Sequence, residues 1–297
     1  TCPPASPPTC FPTYLSTSYL LSTTSYFLLA YLPTCFPTMH DSLPLLHFRS
    51  LTAHAGLVHA VSTRHGGVSA GGYASLNLST STGDSRENVD ANHRRLAAAL
   101  KLPRERFTTT WQVHGTVVLA ANHASASGMI GQADGIISDT PELPLTQRYA
   151  DCTPLLIYDP RRHAIGLGHA GWRGTVAGMA TALVQAMTAA FGSAPADLAA
   201  VIGPAIGPCC YEVGPEVIEA VAAAFPVADA LLTERDNGVA HRHFDLWAAN
   251  RWQLEQAGVG QIETANLCTC CQRGTFFSHR GDGPVTGRFG AVMMLKA

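Results

Sequence analysis

The stretch YADCTPLLIYDPRRHAIGLGHAGWRGT, residues 149–175, contains two apolar runs that are joined by a charged turn and followed by a glycine-rich turn. Short apolar runs bounded by turn residues predict buried β-strands. Cys152 stands at the entrance of the first predicted strand, and His169 ends the second. Two interpretations are open at this point: both side chains pack in an α/β core, or both are ligands of one metal ion.

The turn AGWRG after His169 leads into a segment with helical spacing. Its apolar residues, three or four positions apart, predict one buried helix face: Val176, Met179, Leu183, Met187 and Phe191. A strand, a glycine turn and a helix in succession point backbone N–H groups into one pocket, where Arg173 would add a planar donor for phosphate. Gly171 and Gly174 are equally compatible with close packing alone, so an anion seat and a packing turn both remain open.

The rest of the chain alternates short apolar runs with helical patterns, which predicts an α/β fold. Further strands are predicted at residues 56–63, 116–120, 134–138, 199–203, 262–266 and 291–295, and further helices at 86–102, 215–225 and 244–259. Asp245 is a candidate N-cap of the last helix, and Gly258 lies just beyond its end. Because no repeat or long linker divides residues 39–297, we expect one domain there.

The first forty residues contain no Asp, Glu, Lys or Arg, and TCFPT occurs in them twice. Their apolar run LLAYL is too short to span a membrane, and no basic segment precedes it as in a signal peptide. We interpret residues 1–38 as a low-complexity extension that is disordered or lies upstream of a natural start at Met39. An exported or anchored protein is the alternative interpretation.

Composition excludes several classes of partner. The formal net charge is −2, and 13% of residues are charged, against about 25% in a typical protein. Without a basic stripe, neither nucleic acid nor an anionic membrane is expected as the main partner. Several of the nine cysteines are adjacent, which disfavours disulfides between them, and a chain of this size does not need such cross-links. We therefore expect a reducing, cytoplasmic location.

A third candidate ligand lies upstream of the opening stretch. His114, in QVHG, precedes another predicted strand. Two histidines and one thiolate with an open fourth position are typical of a catalytic zinc site. Spacing alone does not bring His114, Cys152 and His169 together, so the metal and packing interpretations both remain.

Two further cysteine pairs invite a similar comparison. CTCC contains a C-x-x-C spacing at Cys268 and Cys271, and GPCCYEV supplies Cys209 and Cys210. A four-thiolate structural zinc site is one interpretation, although the adjacent second pair weakens it. The other is a group of buried or half-buried thiols. The deaminase signature that pairs H-x-E with P-C-x-x-C does not occur in the chain.

A series of motifs runs in order through residues 62–288: STRHGGVS, LNLS, GD, QVHG, ADG, ADCTPLL, GHAGWRG, IGPAIGPCCYEV, FDLWAANRWQL and FFSHRGDGPVTGR. In this series the chain resembles the laccase-domain family, long labelled multicopper polyphenol oxidases and now treated as purine nucleoside phosphorylases. The resemblance implies a single layered α/β domain with mixed β-sheets flanked by helices, the cytotoxic necrotizing factor-like fold. It also implies that His114, Cys152 and His169 bind one Zn²⁺ ion, for which copper is a candidate substitute.

The resemblance further implies phosphorolysis of adenosine, inosine, guanosine and S-methyl-5'-thioadenosine, with adenosine deaminase as a side activity. The expected partners are purine nucleosides and phosphate, and the chain is expected to be a monomer or small homo-oligomer. Arg64, in STRHGG, is implied in the substrate or phosphate pocket. Other residues expected at the site are Cys152, Asp151 and His169 in catalysis, Arg173 on phosphate, and Asn77 and Gln112 on ribose or base. Asp151 would move a proton or orient a histidine ligand, and the second role is favoured.

The sequence leaves two alternative functions, each with its own requirement. A copper polyphenol oxidase would need several H-x-H pairs, whereas the chain has one, residues 241–243, in a predicted polar loop. Some relatives are described as peptidoglycan editing factors, which suggests a cysteine hydrolase acting on peptidoglycan precursors. That role would need Cys152 to be free of metal and paired with His169 or His114.

Overall fold

The computed structural model describes residues 35–40, 43–125, 127–236 and 240–297. Its strands are Cys35–His40 (β1), Leu43–Phe48 (β2), Leu57–Ser62 (β3), Thr108–Trp111 (β4), Val118–Ala120 (β5), Gly128–Gln132 (β6), Gly135–Ser138 (β7), Leu145–Tyr149 (β8), Thr153–Asp159 (β9), Ala164–Ala170 (β10), Ala199–Ile202 (β11), Glu212–Val213 (β12), Leu232–Asp236 (β13), Ala240–Phe244 (β14), Gln261–Thr264 (β15) and Phe289–Leu295 (β16). Its α-helices are Arg49–Thr52 (α1), Arg86–Leu100 (α2), Trp172–Val176 (α3), Met179–Phe191 (α4), Pro215–Ala224 (α5), Ala228–Leu231 (α6), Leu246–Gln256 (α7) and His279–Asp282 (α8).

In this described part of the chain the strands form three sheets. The seven-stranded sheet has the order β1-β2-β3-β16-β8-β4-β6, the six-stranded sheet the order β15-β11-β9-β10-β7-β5, and the small sheet the order β12-β14-β13. Both large sheets are mixed, since β4 pairs in parallel with β6 and β8, and β5 with β7, among antiparallel neighbours. The predicted class, a layered α/β domain with mixed sheets flanked by helices, is confirmed.

The two large sheets pack against each other and helices cover their outer faces. Leu156 and Leu167 of the six-stranded sheet share one buried cluster with Phe289 and Met293 of the seven-stranded sheet. Leu155, next to Leu156 in β9, points to the opposite face, where α4 and α7 cover the sheet. Helix α2 packs in the same way on the outer face of β16 and β3. Strand β9 is therefore buried on both faces, which explains its unbroken apolar sequence.

The strands predicted from apolar runs are all present. Strands with a polar sequence were not predicted. Residues 241–243, the HRH stretch, were expected in a polar loop, and this expectation was wrong. They lie in β14, which pairs with β13 and β12. The pairing depends on backbone hydrogen bonds, which an apolar pattern does not report.

The helices predicted at residues 86–102, 215–225 and 244–259 are present as α2, α5 and α7. Asp245 caps α7 by accepting a hydrogen bond from Ala248 N at 3.0 Å, as predicted. The helix predicted after the AGWRG turn is interrupted. It consists of the five-residue α3 and the longer α4, separated at Gly178, whose φ of 91° no ordinary helical residue adopts.

Strand β1 begins at Cys35 and pairs with β2, so its first residues precede the boundary predicted at residue 39. The low-complexity segment 1–34 lies outside the described residues, and the division at residue 38 stays a prediction. Among the helices of the described ranges, none has the length and apolar character needed to cross a bilayer.

Candidate metal centre and pocket

The three predicted metal ligands meet at one edge of the six-stranded sheet. Cys152 directly precedes β9, and His169 lies near the end of β10. Antiparallel pairing of these strands sets His169 opposite Pro154, two residues from Cys152. His114 arrives from the loop between β4 and β5, and the donor atoms of all three side chains lie within 4.8 Å of one another. The ligand set proposed from three distant motifs is therefore one cluster.

A fully buried carboxylate fixes this cluster. Asp134 Oδ1 lies 2.8 Å from His169 Nδ1, which leaves Nε2 as the nitrogen directed to the other ligands. The same carboxylate accepts backbone N–H groups of Val113, His114 and Gly115 at 3.1, 3.0 and 2.7 Å. These bonds hold His114 in a left-handed conformation, with φ 63°. Asp134 was not singled out from the sequence, although the ADG motif contains it.

Gly171, the first glycine of the AGWRG turn, lies against the cluster. A Cβ atom at this position would lie 2.9 Å from Cys152 Sγ and 3.0 Å from His114 Cδ2. Any other residue would therefore displace a ligand. Close packing, one of the two interpretations that the sequence left open for this turn, is present at Gly171, next to the metal cluster.

Cys152 and His169 influence each other's protonation. Burial raises the pKa of the Cys152 thiol, but the His169 charge and hydrogen bonds from both histidines lower it more, to about 6. Burial lowers the pKa of His169, whereas the Cys152 thiolate and Asp134 raise it to about 9. Cys152 is consequently a thiolate at neutral pH, which is the form that binds metal.

The donor set fits a metal ion with one open coordination position. Two imidazoles and one thiolate are the ligands that zinc takes at catalytic sites. His169 is buried while His114 is exposed, so the cluster is closed on the sheet side and open on the other. Copper binds the same soft and borderline donors.

The open side faces a cavity of about 480 Å³. Besides the three ligands, its walls contain the predicted site residues Asp151, Gln112 and Arg173. They also contain cationic and aromatic side chains that were not singled out as site residues from the sequence: Trp111, Arg148, Trp172, Tyr211, His279, Arg280 and Arg288.

Three arginines give this cavity a cationic wall, which we define as Arg148, Arg280 and Arg288. Arg148 donates to Thr110 O at 2.8 Å, and Arg280 donates to Glu212 O at 3.0 Å. Arg288 also donates to backbone carbonyls, those of residues 286 and 287. Among the described residues, none of the three forms an ion pair, so their charges remain available to an anionic ligand.

Arg173 also lines the cavity and, like Arg280, it is exposed. Its guanidinium lies over the ring of Trp172, 4.2 Å from the centroid, and pairs with Glu216 at 3.2 Å. Arg173 belongs to α3, which is only five residues long. An anion seat at this turn, one of the two interpretations that the sequence left open, would therefore depend on side chains and not on the end of a long helix.

Arg64 and Asn77 lie behind the cavity wall in the described structure, outside the set of residues that line it. Arg64 donates to Arg273 O at 2.7 Å and pairs with Asp282 of α8, the helix that carries Arg280. Asn77 is fully buried and accepts the backbone N–H of Arg288 at 2.9 Å. Direct contact with substrate was expected for both, whereas their positions favour holding wall residues in place.

The hydrogen bonds of the Asp151 carboxylate go to partners other than the histidines that the sequence favoured. Its carboxylate accepts hydrogen bonds from Thr269 Oγ1 and Arg280 N, both at 2.6 Å. Within the described residues these are its side-chain partners, and Asp134 takes the place beside the histidines. Asp151 lines the cavity and holds a left-handed backbone conformation, with φ 81°.

The fold and site together define a class: an α/β protein with an open His–Cys–His cluster in a cationic pocket. The profile of the family described as multi-copper polyphenol oxidoreductase laccase matches residues 58–296. The chain belongs to this family.

Relatives and solved structures carry more specific names. The chain is 41% identical over 255 residues to a purine nucleoside phosphorylase of Deinococcus radiodurans, covering 85% of this chain and 93% of that protein. It is 38% identical over 243 residues to purine nucleoside phosphorylase YlmD of Geobacillus stearothermophilus, covering 79% and 88%. The crystal structure of hypothetical protein YfiH from Bacillus licheniformis superposes with a TM-score of 0.80 at 33% identity, covering 85% and 96%. That of YlmD from Geobacillus stearothermophilus has a TM-score of 0.79 at 36% identity, with the same coverage.

Proposed function

We propose that the protein is a zinc-dependent purine nucleoside phosphorylase with adenosine deaminase as a side activity. Its substrates would be adenosine, inosine, guanosine and S-methyl-5'-thioadenosine. The observation that carries the proposal is one cavity in which a His–Cys–His cluster faces the cationic wall of Arg148, Arg280 and Arg288. Several relatives named purine nucleoside phosphorylase, at up to 41% identity, support the same substrate class.

The cationic wall suits the chemistry of phosphorolysis. A phosphate oxygen attacks C1' of the ribose, the bond from C1' to the purine nitrogen breaks, and the base takes the bonding electrons and a proton. Phosphate must therefore be held against the sugar, and guanidinium groups supply planar, charge-assisted hydrogen bonds for this purpose. We assign phosphate to Arg280 and Arg288, and the purine ring to the aromatic side chains Trp111 and Tyr211, which also line the cavity.

Zinc held by His114, Cys152 and His169 would supply Lewis-acid chemistry at the cavity wall, where water could replace the exocyclic amine of adenosine. Asp134 fixes His169, and Gly171 keeps the space beside Cys152 and His114 clear. We assign Asp151 to proton transfer at this wall, because it lines the cavity and Thr269 and Arg280 hold its carboxylate in place.

One observation favours the second candidate, a cysteine hydrolase acting on peptidoglycan precursors. His169 contacts Cys152 on one side and Asp134 on the other, which is the arrangement of a nucleophile, its base and the carboxylate that orients the base. Cys152 can act as the nucleophile of a hydrolase only if its thiolate does not bind a metal ion. Metal analysis separates the two functions: one zinc ion that is lost in a His114→Ala variant supports the phosphorylase, and an active protein without metal at the His–Cys–His cluster supports the hydrolase.

The test is a product assay with the zinc-loaded, copper-free chain. Adenosine is incubated with and without phosphate, and adenine, inosine and hypoxanthine are separated. Adenine formed only with phosphate, together with ribose 1-phosphate, supports phosphorolysis, and inosine formed in both samples supports the deaminase side activity. Absence of every product refutes the proposal, and phenol oxidation by a copper-loaded sample would favour the oxidase of the family description.

A pair of variants connects the assay to the cationic wall. Arg280→Gln removes one charged donor, and we expect the KM for phosphate to rise about tenfold or more, the equivalent of one charge-assisted hydrogen bond. Arg106→Gln is the matched control, because Arg106 is exposed and lies outside the cavity lining. Equal KM values in the two variants would remove Arg280 from the phosphate site.

A further inference from the structure

A second group of potential metal ligands lies outside the His–Cys–His cluster. Cys209, Cys210, Cys268 and Cys271, here called the four-cysteine cluster, have sulfur atoms within 4.8 Å of one another. Cys271 Sγ lies 3.3 Å from the sulfurs of both Cys209 and Cys210. A zinc ion with tetrahedral Zn–S bonds of about 2.3 Å spaces its sulfur ligands about 3.8 Å apart. The two 3.3 Å contacts are shorter than this spacing, and the upper limit of 4.8 Å on all the sulfur pairs leaves room for it.

The adjacent pair, which the sequence alone disfavours as metal ligands, is shaped by a tight turn. Cys210 N and Tyr211 N both donate to Gly207 O, at 2.9 and 3.0 Å. This turn curls the backbone so that both neighbouring thiols approach Cys271. The C-x-x-C pair comes from a second turn, in which Gln272 N donates to Cys268 O at 3.0 Å. Each of the two tight turns therefore contributes two sulfur atoms to the same cluster.

Backbone donors point at the most buried of the four sulfurs. Cys268 is 5% exposed, and its Sγ accepts N–H groups from Gly207 at 3.3 Å and from Cys271 at 3.4 Å. The first donor comes from one turn and the second from the other. N–H groups directed at sulfur stabilise a thiolate, and a buried thiolate needs a cation for compensation. A metal ion among the four sulfurs would provide it.

The four-cysteine cluster adjoins the wall of the cavity. Thr269, which follows Cys268, donates to the Asp151 carboxylate at 2.6 Å. Ile206, which precedes Gly207, donates its N–H to Asp151 O at 2.9 Å and lines the cavity. An ion that joined the two turns would therefore fix both segments that hold Asp151.

We propose that Cys209, Cys210, Cys268 and Cys271 bind a structural zinc ion as four thiolates, separately from the site at His114, Cys152 and His169. Four sulfur ligands leave no open position, which is typical of structural and not of catalytic zinc. The ion cross-links the turn at residues 207–211 to the turn at residues 268–272. The proposal is independent of the reaction assigned above.

Metal stoichiometry of the full chain tests the proposal. The protein is purified under reducing conditions from zinc-supplied cells, and zinc per chain is measured by mass spectrometry of the digested sample. We expect two zinc ions in the wild type, one in Cys271→Ser, and two in the control Cys270→Ser, which changes the neighbouring cysteine outside the cluster. Equal zinc content in Cys271→Ser and Cys270→Ser would overturn the proposal, as would iron in place of zinc.

A second measurement does not depend on how well Cys271→Ser folds. The His114→Ala variant has an intact four-cysteine cluster, and its remaining zinc is examined by X-ray absorption. We expect a shell of sulfur alone at about 2.3 Å. A shell containing nitrogen, or a variant without zinc, would contradict the four-thiolate site. The same variant reports separately on the proposed function through the product assay.

Discussion

Asp134 is the residue on which the geometry of the metal centre depends. It is fully buried, yet it stays ionised. Burial raises its pKa, but the hydrogen bond and charge of His169 and the backbone N–H groups of Gly115 and Val113 lower it more, to below its usual value. Both carboxylate oxygens are used. Oδ1 contacts the His169 ring and His114 N, and Oδ2 accepts the N–H groups of Val113 and Gly115. One side chain thus positions two of the three ligands.

We expect Asp134→Asn to weaken zinc binding at the His–Cys–His cluster. An amide has only one oxygen, so one edge that accepted hydrogen bonds now presents a donor to the loop or to His169. Loss of such an orienting carboxylate costs about 10- to 100-fold in metal affinity. Competition with a coloured chelator measures the affinity. The control is Asp139→Asn, which makes the same change at an exposed position directly after β7; equal affinity in both variants would refute the role of Asp134.

The site residues that the sequence could indicate are those with distinctive chemistry. His114, Cys152 and His169 have side chains that bind transition metals, and each stands next to a predicted strand. Asp134 offers no such signal, because its function is a contact to His169, 35 residues away in the sequence. Arg148 is missed for a similar reason: it belongs to a polar strand, and its place on the cavity wall depends on how β8 pairs with β16.

At the scale of elements, the strongest sequence signals come from strands buried on both faces. Strands β9 and β10 are fully buried and apolar throughout, so their positions could be predicted. Strand β8, with the sequence LTQRY, is equally interior but polar. Its Gln147 is fully buried and donates to Thr110 Oγ1 and Asp134 O, at 3.2 and 3.1 Å. Tertiary partners satisfy these polar groups, and the local sequence does not reveal them.

The interruption between α3 and α4 depends on the conformation of Gly178. Its φ is 91°, and a Cβ atom there would meet nothing within 4 Å. Gly178→Ala therefore introduces conformational strain without a clash, and we expect a loss of about 1 kcal/mol in the free energy of unfolding. Urea denaturation measures it. Gly274→Ala is the control, since that site is equally open and lacks a positive φ; equal stability of the two variants would contradict this account.

At the scale of the whole molecule, two histidines are shielded from water, one buried in the seven-stranded sheet and one half-buried in the helix that packs on it. His59 lies in β3, and burial together with the charge of His47 lowers its pKa to about 3. Its Nε2 accepts the N–H of Phe48 at 2.9 Å, which a proton on that nitrogen would prevent. His93 lies in α2, and its pKa is lowered to about 4, chiefly by burial. Both rings are neutral in the folded protein well below the pH at which a free histidine is protonated.

These histidines make the fold sensitive to acid. Below the ordinary histidine pKa of 6.5 the unfolded chain binds a proton at His59 and the folded chain does not, so stability falls from there down to about pH 3. At about pH 5 the loss from His59 alone is about 2 kcal/mol.

His59→Gln retains an acceptor for Phe48 N but does not titrate, so the difference in unfolding free energy between about pH 7 and about pH 5 should shrink by about that amount. Urea denaturation at both pH values measures it. The control is His123→Gln, a change at an exposed histidine, and its unfolding free energy should depend on pH as in the wild type. Both variants keep the metal ligands, so any effect of metal release at low pH is the same in the two. An unchanged pH dependence in His59→Gln would show that His59 does not destabilise the fold in acid.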